Sequence, residues 1–98
     1  MSPTQEASVK IKATIYPGVF DSEYQVTVNV TGRDINIHVS GDFVEVGASP
    51  TPEGIEGFLK VYIVEKTDDG KFVIALPGEV QSAPSRITAE RSQLQRVA

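Results

Sequence analysis

The side chains best suited to proton transfer in this chain are a single histidine, His38, and a scatter of carboxylates. His38 lies between Asn36 and Ser40 on one face of a candidate strand, which places a serine hydroxyl two residues away. A histidine-activated serine also needs an orienting carboxylate and an oxyanion hole, and residues two apart on a strand merely share a face. A solvated strand histidine is the simpler reading, and one histidine cannot make a two-histidine metal motif. The carboxylates fall into three local sets, Asp21 with Glu23, Asp42 with Glu45, and Asp68 with Asp69. None has the alternating ligands and closing glutamate of a calcium loop. Turn chemistry accounts for them, since aspartate bonds its own backbone in turns and tolerates left-handed conformations.

The glycines make no phosphate cradle. Gly54-Ile55-Glu56-Gly57 lacks the lysine and hydroxyl of a P-loop, and no Gly-x-Gly-x-x-Gly leads from a strand into a helix. No cofactor and no metal are therefore expected. Tyr16, Phe20, Tyr24, Phe43, Phe58, Tyr62 and Phe72 are candidates for stacking on bases or sugars, as strand aromatics do in OB-type barrels. Those barrels surround their aromatics with lysine and arginine, whereas the basic residues here are scattered, so core packing is the expected role of most of them.

Charge points the same way. With 13 acidic and 9 basic side chains in 98 residues the net charge is −4, the wrong sign for affinity to phosphates or anionic lipid heads. Neither nucleic acid nor a membrane is an expected partner. The one shift in composition is electrostatic: residues 1–84 carry 6 basic and 12 acidic groups (6 − 12 = −6), residues 85–98 carry 3 and 1 (3 − 1 = +2). There is no cysteine, so packing rather than a disulfide or thiolate zinc must hold the fold. The first eight residues are polar and lack the basic and apolar regions of a signal peptide, and no apolar run approaches the roughly 20 residues that span a bilayer. A cytoplasmic location is expected, and Asn29-Val30-Thr31 reads as a chance glycosylation match within a strand. Residues 1–8 read as a disordered N-terminal segment and residues 9–98 as a single β domain, a length that supports one modest core.

The elements that must position these groups show period-two alternation between glycine, proline and aspartate punctuation. In residues 9–16, Val9, Ile11, Ala13 and Ile15 point one way and Lys10, Lys12 and Thr14 the other. Tyr24, Val26, Val28 and Val30 share a face in residues 24–31. Gly32-Arg33-Asp34 turns the chain into Ile35, Ile37 and Val39, and Ser40-Gly41-Asp42 turns it again into residues 43–46, as a three-strand meander. Residues 47–57 hold two prolines and three glycines and read as the longest loop. Residues 58–66 and 71–76 flank Thr67-Asp68-Asp69-Gly70 as a hairpin apolar on both faces. Residues 79–85 read as a loop or short edge segment. The tail has two readings, a helix carrying Ile87, Arg91, Leu94 and Val97 on one stripe, or a strand over 86–90 followed by a 3₁₀ turn over 92–95 that drops Leu94 onto the core. The second is preferred, because the earlier strands leave an edge that needs covering. The expected core is Val26, Val28, Ile35, Ile37, Leu59, Val61, Ile63 and Ile74.

The expected fold is thus all-β, a small antiparallel barrel or two-sheet sandwich of about six to seven strands, with a short terminal 3₁₀ turn or helix. The ending from Arg86 to Leu94, a short strand running into a polar turn that returns a leucine, resembles the end of SH3-like barrels. The resemblance covers under a fifth of the chain and assigns no family.

Two surfaces remain as binding candidates. One is the 47–57 loop, with Ile55 beside Glu53 and Glu56. The other is the outward face of the 58–76 hairpin, where Phe58, Tyr62 and Val64 interleave with Lys60 and Lys66; it is either covered in a closed barrel or offered to a partner. The expected function is a non-enzymatic protein-interaction module, or small subunit of a larger assembly, binding a protein partner or a second copy of itself. The alternative is a small-molecule or carbohydrate binder using an aromatic cleft, and a weaker third is an enzyme employing carboxylates.

Overall fold

The alternation of the sequence becomes one curled antiparallel sheet, a half-barrel whose concave side holds the core. A computed structural model describes residues 8–18, 22–30, 32–81 and 86–96. Among them nine strands and two single 3₁₀ turns, at Gly41–Phe43 and Arg91–Gln93, are the regular elements, and there is no α-helix. The strands are β1 (Ser8–Pro17), β2 (Glu23–Val30), β3 (Arg33–Ser40), β4 (Val44–Glu45), β5 (Ile55–Lys66), β6 (Phe72–Ala75), β7 (Glu79–Gln81), β8 (Arg86–Ala89) and β9 (Leu94–Arg96). The count exceeds the six to seven expected because β4, β7 and β9 are only two or three residues long.

β1 organises the sheet. Its residues 8–15 pair with residues 62–55 of β5 along one side. On the other side two strands share it: β2 pairs with residues 14–17 and β9 with residues 9–11. The sheet runs β7-β3-β2-β1-β5-β6-β8, with β4 also on β5. Because the Arg91–Gln93 turn joins β8 to β9, strands β1, β5, β6, β8 and β9 form a circuit from which β2, β3 and β7 extend.

The inward residues are those in phase with the alternation: Ile11 and Ile15 on β1, Val26 and Val28 on β2, Ile37 on β3, Leu59 and Val61 on β5 and Ile74 on β6 are all essentially inaccessible. Each such side chain contributes about 1.5–3 kcal/mol on burial. No polar or charged residue is buried among the described residues. Seven of the eight expected core positions are there. The exception, Ile63, is half-buried. It lies one residue beyond Tyr62, the last β5 residue paired with β1, and directly before a register shift that leaves Val64 without a partner on β6.

Two readings of the chain's course are corrected, and of the two readings of the tail the preferred one holds. The segment after Ser40 does not continue a meander: Ser40 Oγ accepts from the Asp42 amide, the chain makes a 3₁₀ turn, and Val44 and Glu45 cross to pair with Leu59 and Phe58 of β5. Residues 55–57, read as loop, begin β5, because β1 offers register partners for all three. Gly57 fits there because it lacks a side chain, a Cβ lying 2.6 Å from Val46 Cγ1 and 2.7 Å from the Glu45 carbonyl oxygen. The tail is strand, 3₁₀ turn and a further short strand, so the helical reading is excluded over 86–96, and Leu94 packs against the core. Residues 79–81 are the edge strand β7 on β3; residues 82–85, with Phe20, Asp21, Thr31 and residues 1–7, lie outside those described.

Candidate functional site

On β5 the even-numbered residues up to Tyr62 project from the convex side, since the odd-numbered ones Leu59 and Val61 are buried. Phe58, Lys60 and Tyr62 thus share one face. The β1 register sets Lys12 opposite Phe58, Lys10 opposite Lys60 and Ser8 opposite Tyr62. Lys10 reaches back over Phe58, its Nζ 4.6 Å from the ring centroid, and its ammonium donates to Glu45 Oε1 at 2.6 Å. The stem of Lys10 thereby covers part of Phe58, and its own side chain is only 13% exposed. Glu56 and Lys12 pair at 3.5 Å on the same face, both well solvated.

Among the described residues Tyr62 has no such cover: paired in register with Ser8 on β1 and Ala75 on β6, at 36% exposure it is the one large hydrophobic side chain standing open among them. The result is a half-covered aromatic and an open one on the convex sheet face, with Lys10, Lys12 and Lys60 against Glu45, Glu56 and Glu65.

The remaining candidates are not on this patch. Val64 is the unpaired residue at the register shift and is half-buried. Beyond it the phase changes: Glu65 pairs with Val73 on the side of Tyr62, while Lys66 pairs with Phe72 on the side of Ile74. The expected stripe therefore ends at Tyr62. Ile55 packs against the core, and Glu53 is exposed in the preceding turn, so the 47–57 loop and the hairpin do not form one surface. Lys10, Lys12 and Glu45 were not singled out from the sequence. Alternation turns the two lysines outward, but only the β1–β5 and β4–β5 registers bring them to Phe58.

The other outward face, on β2 and β3, is polar throughout. Gln25 Nε2 and His38 Nε2 lie 3.0 Å apart, Thr27 Oγ1 donates to Asn36 Oδ1 at 2.8 Å, and Asn29 Nδ2 donates to Asp34 Oδ1 at 2.9 Å. His38 is thus engaged with an amide and Ser40 with its 3₁₀ turn. The aromatics are dispersed: Tyr24, Phe43 and Phe72 pack against the core, and Tyr16 lines a small groove of about 250 Å³ beside Gln25 and His38. Among the described residues no three His, Cys, Asp or Glu side chains group to hold a metal ion, and no helix is long and apolar enough to cross a membrane.

The chain matches no protein-family model, no curated protein and no solved structure.

Proposed function

We propose that this protein is a non-enzymatic interaction module, or small subunit of a larger assembly, that binds a cytoplasmic protein partner through the outer face of β1 and β5. The observation that carries the reading is Tyr62, open beside Phe58 and bordered by lysine and glutamate side chains. An interface has this anatomy, an aromatic centre with a polar rim, and tyrosine is among the residues that contribute most to binding. The circuit of β1, β5, β6, β8 and β9, with a 3₁₀ turn before the last strand, supports an SH3-like reading of the barrel. Fold alone carries no function, and the proposal stands on the patch. A cleft of stacked aromatics has less support, because the aromatics are dispersed and three of the six described ones pack against the core.

The test is affinity capture with the wild-type chain and with Tyr62→Glu, alongside sedimentation of both. Loss of a stoichiometric partner in the variant, with an unchanged far-ultraviolet spectrum and melting point, is the expected result. Dimerisation of the wild type that Tyr62→Glu abolishes would make the partner a second copy. Unfolding by Tyr62→Glu would show the face to be interior and end the proposal.

A further inference from the structure

The two strands that share one side of β1 do not meet. β9 pairs with residues 9–11 and β2 with residues 14–17, so Lys12 and Ala13 have no strand partner on that side. Successive residues of a strand direct their backbone N–H and C=O to alternate sides, so one of these two residues presents both groups to the fork. Over the fork lies a groove of about 440 Å³, between β2 on one wall and the 3₁₀ turn with β9 on the other.

The walls are built. Gln93 Nε2 donates to the Asn29 carbonyl at 2.9 Å, and its Oε1 accepts from the Glu90 amide at 3.2 Å, which ties the turn to the end of β2. Thr14, Thr27, Asn29, Ser92, Gln93 and Gln95 line it with hydroxyls and amides, Lys12, Asp34 and Glu56 line it with charges, and the Ile11 and Ala13 side chains are buried in the core. Lys12 pairs with Glu56, and Asp34 accepts from the neutral amide of Asn29. One cation and two carboxylates leave a net charge of −1 (1 − 2 = −1), which disfavours an anion, and no three metal-ligating side chains group there among the described residues. From Ile11 to Thr14 is three strand rises, about 10 Å, which accommodates one or two sugar rings but not a peptide strand. Side chains that both donate and accept, in a groove of this length with a single unbalanced charge, match a ligand that carries many hydroxyls and no charge.

We propose that the β2/β1/β9 fork is a binding site for a neutral polyhydroxylated ligand of mono- or disaccharide size. The site is separate from the Tyr62 patch and does not rest on it.

The experiment is an amide-resolved NMR titration of the full chain with glucose, galactose, mannose, N-acetylglucosamine, maltose and cellobiose, each to about 50 mM, a range that reveals millimolar affinity. At least one sugar is expected to shift the amides of residues 12–14, 27–29 and 92–95. Gln95→Ala and Ser92→Ala, exposed positions whose loss leaves the rest of the spectrum in place, should each weaken that binding about tenfold, the worth of one hydrogen bond. Tyr62→Glu should not change it, and neither should 0.5 M sodium chloride, about the concentration at which charge attraction is strongly screened. The proposal is overturned if no sugar shifts these amides, if Gln95→Ala and Ser92→Ala bind as the wild type does, or if salt abolishes binding and so reveals a charged ligand site.

Discussion

The two outward faces of this sheet lie over one core and differ in how they finish their own surface. On β2 and β3 three successive cross-strand pairs bond each other, Gln25 with His38, Thr27 with Asn36 and Asn29 with Asp34. On β1 and β5 the matching is incomplete: Lys10 shields Phe58, but among the described residues Tyr62 stays open. The inner faces are equally apolar, so stability does not distinguish the two. The difference lies in whether cross-strand neighbours complement each other, and the face where they do not is the one on which the proposed interface rests.

The largest effects should be the same under both faces. Leu59→Ala and Ile37→Ala should each cost about 2–5 kcal/mol in urea unfolding, because both side chains are fully buried. An Ile37→Ala loss below about 1 kcal/mol would break the comparison, since β2 and β3 would then rest on a looser core of their own. Gly57→Ala should cost about 1–3 kcal/mol, its new methyl group meeting Val46 and the Glu45 carbonyl; a neutral result would mean that β4 moves freely on β5. Thr27→Val removes one rung of the polar ladder and should cost only about 0.2–1 kcal/mol.

Smallest is a pH effect in the turn of the β5–β6 hairpin. Thr67 Oγ1 donates to Asp69, and this bond, offset in part by desolvation and helped by the Lys71 amide and charge, holds the Asp69 carboxyl below its ordinary value of 3.8. A carboxyl depressed in the folded state stabilises above its unfolded pKa and loses that contribution as pH falls through the folded value. In a carboxyl-resolved titration Asp69 should titrate below 3.8 in the wild type and move upward in Thr67→Val. An unmoved Asp69 would show that the hydroxyl does not set it.

What the sequence made legible was whatever depends on neighbours along the chain. Alternation placed seven of eight core residues, and glycine at positive φ marked the turns at Gly32 and Gly70. What it left out depends on register. Residues 55–57 look like loop until β1 lies beside them, Val64 and Lys66 look in phase with Tyr62 until the register shifts at Val64, and Val44 looks like part of a meander until β5 receives it. Of the expected site, Phe58, Lys60 and Tyr62 came together as read, Val64 did not, and Lys10 and Glu45 joined them from strands distant in sequence. The fork groove had no local signature, because it exists only where β2 and β9 part on β1.

The pairing of β1 with β9 has a kinetic consequence. Residues 9–11 must find residues 94–96 across almost the whole length of the domain, so the loop-closure entropy falls due before that contact contributes anything. The β2–β3 and β5–β6 hairpins can form on the microsecond scale, but the sheet as a whole should fold in milliseconds to seconds. Until then one edge of β1 is open to pairing with another chain, and the three residues of β9 govern how long that exposure lasts.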